Sequence, residues 1–373
     1  MKKLVMLVLV MLMALSVVSG CANSGTTDVA ASDESSTSEE TAEATEPAEA
    51  TETTEAAATT EEYEFPEMTL VFSNSASSTS VHGKGAAAFC AEVERLTDGK
   101  VTFEYYGDGQ LYKAGDDVTA LINGEIDFTM EGANWLSTNS PWVSMFTAGY
   151  LFTDYQNMTD VMNGEIGAEV FEKIAEEQGA RPLAAYYIGT RQINLREDKE
   201  IKTPEDLKGV NLRMPDSDTW MFLGKALGAN PTPLAISELY LALSTGVVDG
   251  QDNPLPTMID QKFYEVTKSV TITNHYVNAT WLIVNEAKWQ SFSPELQDVI
   301  LQAAEVGRQV CDEASLSQEA EAIDFLESEG LSIYYADIDA FRSHVLEAYL
   351  NDDISSSWDM DIFNQICDLS GES

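Results

Sequence analysis

The sequence predicts an α/β fold of two lobes, with a long helix near the C-terminus that reaches across both. Three observations carry this expectation. Strand and helix signals alternate through two separate stretches, from Met68 to Met130 and from Pro182 to Asn253. About 310 residues remain once an apolar leader and the polar stretch behind it are set aside, enough for two cores rather than one. Ser293-Pro294 opens a helical run to about Leu326, on the order of 45 Å at the α-helical rise.

At the N-terminus, Lys2 and Lys3 precede an almost unbroken run of Leu, Val, Met and Ala from Leu4 to Val18. That run is shorter than the roughly 20 apolar residues of a spanning helix, so residues 1–20 read as a signal peptide. Val18-Ser19-Gly20-Cys21 resembles a bacterial lipobox, in which small residues admit the processing peptidase and the Cys21 thiol takes a diacylglycerol. The alternative is an ordinary secretory signal with an incidental cysteine; the place of Cys21 directly after the small residues favours the lipid. Two acyl chains suffice for stable anchoring. Residues 21–64 are Ser, Thr, Ala and Glu with almost nothing apolar, and no Lys or Arg lies between Lys3 and Lys84. Such a segment reads as a disordered acidic tether. The expected location is extracytoplasmic, on the outer face of the cell membrane and held by the lipid alone. The long tether leans towards a Gram-positive host.

Along the rest of the chain, Met68 to Phe72 reads as a buried strand and Gly83 to Leu96 as a helix with Ala86, Phe89, Cys90 and Val93 on one stripe. Val101, Phe103 and Tyr105 alternate as a strand; Asp116 to Ile122 is a helix, and Ile126 to Met130 a strand. A helix through Ile166 and Ile174 ends near Gly179, ahead of a strand from Pro182 to Ile188. Thr203-Pro204 starts a helix, Thr as N-cap and Pro in the first turn. The strand Asn211–Met214 and helices at 218–227 and 236–245 follow. Two further strands, Val270 to Thr273 and Trp281 to Val284, read as the place where the chain crosses between lobes. A strand from Leu331 to Tyr335 and a helix from Ile338 to Leu350 complete the domain.

The net charge of −43 excludes general nucleic-acid binding and argues against resting on an anionic lipid surface. An acidic protein that holds an anion must build a local positive pocket, which directs attention to its few arginines. After Cys21, three cysteines remain without CxxC spacing, so no disulfide framework is expected; Cys90 and Cys311 read as buried thiols. His82, His275 and His344 show no metal-ligand spacing, and no nucleophile elbow or phosphate loop occurs. No cofactor, metal or catalytic residue is expected.

The richest stretch lies between Gly189 and Pro254. Gly189-Thr-Arg191-Gln192, Thr203-Pro-Glu-Asp-Leu-Lys-Gly-Val-Asn-Leu-Arg213-Met-Pro215, Ala226 to Pro233, Glu238 to Leu243 and Thr245 to Pro254 occur in that order. Together they resemble the solute-binding proteins of TRAP transporters, the tripartite ATP-independent secondary transporters. Gly109-Gln110-Leu111 and Asn123 to Asp127 extend the resemblance upstream. It implies a periplasmic-binding-protein-like, venus-flytrap fold: lobe I at 65–189 with about 278–318, lobe II at 190–277 with about 319–373. It further implies capture of a small carboxylate-bearing organic acid for the small and large membrane subunits of such a transporter. The alternative function is the ligand-binding subunit of an extracytoplasmic sensor or chemoreceptor.

By the same resemblance, Arg213 forms a bidentate salt bridge with the ligand carboxylate, a role that suits a planar, always-charged guanidinium. Arg191 resembles a second, supporting arginine, or is a lobe-surface residue. Asn253 resembles a ligand-contacting amide, with turn capping as its other reading. Gln251 is expected to point the other way, and Asp252 to stand harmlessly where relatives carry Glu. In the first lobe, Ser75 or Asn74 falls at a ligand-contacting position, and Glu131 and Trp135 follow a strand end that faces the cleft. Trp220 and Tyr240 are aromatic candidates from the second lobe, though aromatics at helical spacing are more often core.

Overall fold

A computed structural model describes residues 63–369 of the chain. Cys21, the signal peptide and nearly all of the tether lie outside the described residues. The strands are β1 (Met68–Ser73), β2 (Val101–Tyr106), β3 (Phe128–Glu131), β4 (Ala180–Leu195), β5 (Asn211–Met214), β6 (Asn230–Pro233), β7 (Gly250–Pro254), β8 (Ser269–Asn285) and β9 (Ser332–Tyr335). They hydrogen-bond in the order β2-β1-β3-β8-β4-β7-β5-β6, with β9 beside β8.

The two ends of this order are parallel and the middle is antiparallel. At one end β1 pairs in parallel with β2 and β3; at the other β5 pairs in parallel with β6 and β7. The long strands β4 and β8 join them. The C-terminal half of β8 pairs with β3 through Trp281–Val284, while the C-terminal half of β4 pairs with β7 through Arg191–Leu195. Each long strand therefore serves one end of the assembly with one half and the other end with the other.

Two expectations are corrected here. The strand expected to stop at Ile188 continues to Leu195, and the two strands expected at 270–273 and 281–284 are one 17-residue strand. Gly189 looked like a stop. It sits instead inside β4 at φ +109, beside register shifts at Tyr187/Gly189 and Arg191/Ile193. Bulges absorb the irregularity without ending the pairing. β6 went unread because Pro231 and Pro233 look like breakers; the strand is the last in the order, where proline is tolerated.

One core is aromatic: Phe72, Phe89, Phe103 and Phe128 meet at centroid distances of 5.4–6.4 Å, under the helix Val81–Leu96. A larger cluster gathers Trp281, Phe146, Tyr187, Leu212, Met214, Trp220 and Tyr349. Helix Pro294–Ser328 is 35 residues long, about 52 Å at the α-helical rise, and Ser293 caps its N-terminus by accepting from the Leu296 N–H. It packs on the Val81–Leu96 helix, on β4 and on the helix Leu255–Asp260, so it reaches both parallel ends. Gly85 and Gly307 let it lie close: a Cβ on Gly307 would meet the Tyr186 hydroxyl at 2.6 Å and the Gly85 carbonyl at 2.8 Å. Cys311 is fully buried and Cys90 half-buried, and burial pushes both thiols up. Among the described residues no helix is long and apolar enough to cross a membrane.

Candidate functional site

Arg213 lies one residue from the C-terminal end of β5, in register with Thr232 and Gln251. It is 3% exposed. Its Nε donates to the Leu234 carbonyl at 2.8 Å, which orients the guanidinium. The two Nη nitrogens make no hydrogen bond, and no carboxylate oxygen lies within 4.0 Å, among the described residues. Burial, followed by the charge of Arg191, lowers its pKa to about 10 against the opposing pull of Asp252, so it stays cationic at neutral pH.

Arg191 is differently placed. Its Nε and one Nη donate to the two Asp252 carboxylate oxygens at 2.6 and 2.9 Å, and the same Nη reaches the Asp252 carbonyl. The guanidinium stacks 4.3 Å from the Trp220 ring centroid, and Trp220 meets Tyr276 edge-on. His275 Nε2 lies 3.2 Å from Asp252, and its Nδ1 is 2.7 Å from the Thr273 hydroxyl. Burial alone would raise the Asp252 carboxyl; Arg191 and His275 hold it well below the usual carboxylate range. Burial also lowers His275, leaving it neutral. The sequence reading expected Asp252 to stand harmlessly in place of Glu and gave His275 no metal-binding role, and it assigned neither of them to the Arg191 contact. Only the pairing of β4 with both β7 and β8 brings residues 191, 252 and 275 together.

Asn253 donates to Gln251 Oε1 at 2.5 Å, and Gln251 donates to Asn194 Oδ1 at 3.1 Å. The expectation that Gln251 points away from Asn253 is thus wrong: residues two apart on a strand share a face, and it is Asp252 that takes the other.

At the end of β3, Ser75 Oγ donates to Glu131 Oε1 at 2.7 Å. Neighbouring Asn74 is fully buried and turns its Oδ1 back to the Ala76 N–H, a local turn. Glu131 ends β3, is 6% exposed, and lies against Asp117, whose Oδ1 accepts from the Gly115 and Val118 N–H groups. Trp135 is half-buried over Gly115, where an added Cβ would meet its ring at 2.5 Å. Tyr240 stands apart from both groups: 39% exposed, it donates to Glu265 at the surface. The structure therefore brings Arg213 and Trp220 to the Arg191–Asp252 pair, leaves Asn253 with Gln251 on the other face of β7, and pairs Ser75 with Glu131 at the end of β3. No group of His, Cys, Asp and Glu among the described residues could hold a metal ion.

The family model described as "Bacterial extracellular solute-binding protein, family 7" matches residues 72–352. The sialic acid-binding periplasmic protein of Vibrio cholerae is 32% identical over 75% of this chain and 87% of its own. A TRAP periplasmic solute binding protein from Roseobacter denitrificans, crystallised with 3-deoxy-D-manno-oct-2-ulosonic acid, superposes with a TM-score of 0.77. It is 38% identical and covers 81% of this chain and 99% of its own. A second from that organism, with bound L-galactonate, gives 0.72 at 30% identity, over 82% and 99% of the two chains. The two parallel sheet ends, the long connecting strands and these matches together show a two-lobed venus-flytrap fold. The chain belongs to the family 7 bacterial extracellular solute-binding proteins, the solute-binding proteins of TRAP transporters.

Proposed function

We propose that this protein captures a small organic acid outside the cell by seating its carboxylate on Arg213, and delivers it to the small and large membrane subunits of a TRAP transporter. One observation carries the assignment of Arg213: a guanidinium 3% exposed whose Nη pair has no carboxylate partner among the described residues, beside an arginine that is fully paired. A buried, unpaired charge is costly, and an anion presenting two oxygens relieves that cost. Asn253 supplies an amide, Arg191 holds its neighbours in place, and Ser75, Glu131, Trp135 and Trp220 shape the remainder. Tyr240 has the weakest claim of these candidates. The family is one of binding proteins rather than enzymes, and its relatives named above were found with, or are named for, acids.

Lobe I comprises 65–189 with about 278–318, and lobe II 190–277 with about 319–373, a division supported by the register pairing of Gly189 with Asn278 between flanking bulges. Ligand seated between the lobes favours their closed arrangement by binding it better than the open one. Cys21 carries the lipid that holds the chain at the membrane of a Gram-positive host, a reading supported by the lipobox and the acidic tether. Calorimetry on Arg213→Ala and Arg213→Lys tests the central assignment. Loss of one partner of a buried charge pair costs about 2–5 kcal/mol, and the lysine, lacking the planar fork, is expected to recover little of it. An acid that binds both variants as tightly as wild type overturns the role.

A further inference from the structure

Glu319 is a carboxylate that the capture of an acid leaves without a task. It lies half-buried on helix Pro294–Ser328, and no Lys, Arg or His nitrogen comes within 4.0 Å of it among the described residues. Both of its oxygens face β4. Oε1 accepts from the Thr190 N–H at 2.7 Å, and Oε2 accepts from the Tyr187 hydroxyl at 2.6 Å. Asp312, Ser315 and Glu319 follow one another at helical spacing and so form one stripe. The first two take the Tyr187 N–H and carbonyl at 2.7 and 2.8 Å. Asp312 has the Arg308 guanidinium at 2.6 Å, whereas Glu319 has no cation.

The segment that Glu319 holds is the irregular part of β4. Register against β8 shifts between Tyr187 and Gly189 and again between Arg191 and Ile193, so the ladder alone does not fix Thr190 and Arg191. Gly189 passes close to the carboxylate: an added Cβ would come 3.2 Å from Glu319 Oε1 and 2.6 Å from Pro254 Cβ, at the end of β7. Arg191 follows directly after Thr190, and its guanidinium holds Asp252 on β7. The clasp therefore acts one peptide unit before the arginine and beside the strand that the arginine grips.

Burial raises the Glu319 carboxyl above its ordinary value, against the pull of the Tyr187 hydroxyl and the Thr190 N–H, and no neighbouring charge shifts it. The elements packed on this helix bring Tyr187 from β4, Asp260 from the helix Leu255–Asp260, and Tyr334 and Tyr335 from β9. Lys84, on the Val81–Leu96 helix, acts on Asp260 instead. A carboxyl whose folded pKa is raised weakens the fold when ionised, so at neutral pH this charge costs stability. What it supplies is local: hydrogen bonds to an ionised acceptor are roughly twice as strong as neutral ones. We propose that Glu319 is a positioning residue for the binding site, its carboxylate clasping the Tyr187–Thr190 bulge so that β4 presents Arg191, and through it Asp252 and β7, in one place. This rests on the reading that Arg191 holds the neighbours of Arg213, and its test needs no ligand.

The experiment is amide hydrogen exchange on the ligand-free full chain, joined to urea denaturation between pH 8 and pH 4.5. Glu319→Gln keeps the shape and removes the charge. Exchange at Thr190 and Arg191 is expected to quicken about fivefold or more, the difference between a charged and a neutral acceptor. Exchange along β7 should quicken with it, while Leu70 and Phe72 in β1 stay as in wild type. At pH 8 the variant's urea midpoint is expected at or above that of wild type. Folded Glu319 binds its proton more tightly than the unfolded chain does, so acidification towards pH 4.5 relieves wild type and closes the gap. A side chain that merely packs would instead lower the midpoint equally at every pH. Should Glu319→Gln fail to fold, wild type decides: protection at Thr190 relative to Leu70 should fall between pH 7 and pH 4.5, and a constant ratio overturns the proposal. Unchanged exchange at Thr190, quickening that stops short of β7, or a midpoint lowered at every pH overturns it too. Because no acid is added, these results are independent of the calorimetry on Arg213, and either reading can fail while the other stands.

Discussion

Asp252 shows how much of this site hangs on a residue that contacts no ligand in the proposed scheme. Its carboxylate is fully buried, takes two guanidinium N–H groups from Arg191 and approaches His275. Asp252→Asn would leave the Arg191 charge buried with half its partner gone, a change that costs roughly 3–5 kcal/mol in comparable pairs. Urea denaturation at pH 7 should read that loss. The pH dependence follows in sign from both groups. His275 is depressed in the folded state, so below about 6.5 the unfolded chain takes up a proton that the folded chain refuses, and stability falls. Asp252 is also depressed, so its contribution is complete above about 4 and drains away below that. Wild-type denaturation midpoints should decline from pH 7 towards pH 3, with Asp252→Asn flatter over the lower part of that range; parallel curves would contradict this account. Arg213, Arg191 and Asn253 were legible in the sequence because they sit inside an ordered set of short motifs. Asp252 and His275 were not, since their importance comes from partners tens of residues away that only strand register supplies.

At the scale of elements, legibility tracked local signals. Helices 116–122, 236–245 and 338–350 and strand β5 fall where capping residues and spacing put them. The long strands did not, because Gly189 and the polar run around Asn274 imitate loop. The crossing they form is held from the long helix. Asp312 accepts from the Tyr187 N–H at 2.7 Å, Glu319 from the Thr190 N–H at 2.7 Å, and Ser315 donates to the Tyr187 carbonyl. These bonds satisfy backbone groups that the bulges free from the sheet. Gly189 is the tightest point: its φ is +109, and a Cβ there would meet Pro254 Cβ at 2.6 Å, the residue following Asn253. Gly189→Ala should destabilise the protein by about 1–3 kcal/mol through backbone strain. It should also weaken ligand binding, because relief of the clash moves β7. A thermal unfolding curve and a ligand titration that both match wild type would refute the crossing's claimed tightness.

For the molecule as a whole, composition gave the class of partner and little else. A net charge of −43 removed nucleic acid and anionic surfaces from consideration, and the few cations then pointed to the site. The proposed lipid on Cys21 adds proximity to a transporter, raising the effective concentration of receptor at its partner. Cys21→Ser should release the protein to the medium and depress cellular uptake at low ligand concentration. Unchanged uptake with released protein would reduce the anchor to an address. The long helix has its own consequence. It is one rod, about 52 Å from end to end, gripped near its middle by Gly85 and the Tyr186 hydroxyl and farther along by the crossing strands. If its two ends ride on bodies that turn relative to each other, the rod must flex, and flexure works as a spring. Its stiffness then decides how far a bound acid must pull before the jaws stay shut, and how readily they spring apart when the cargo leaves.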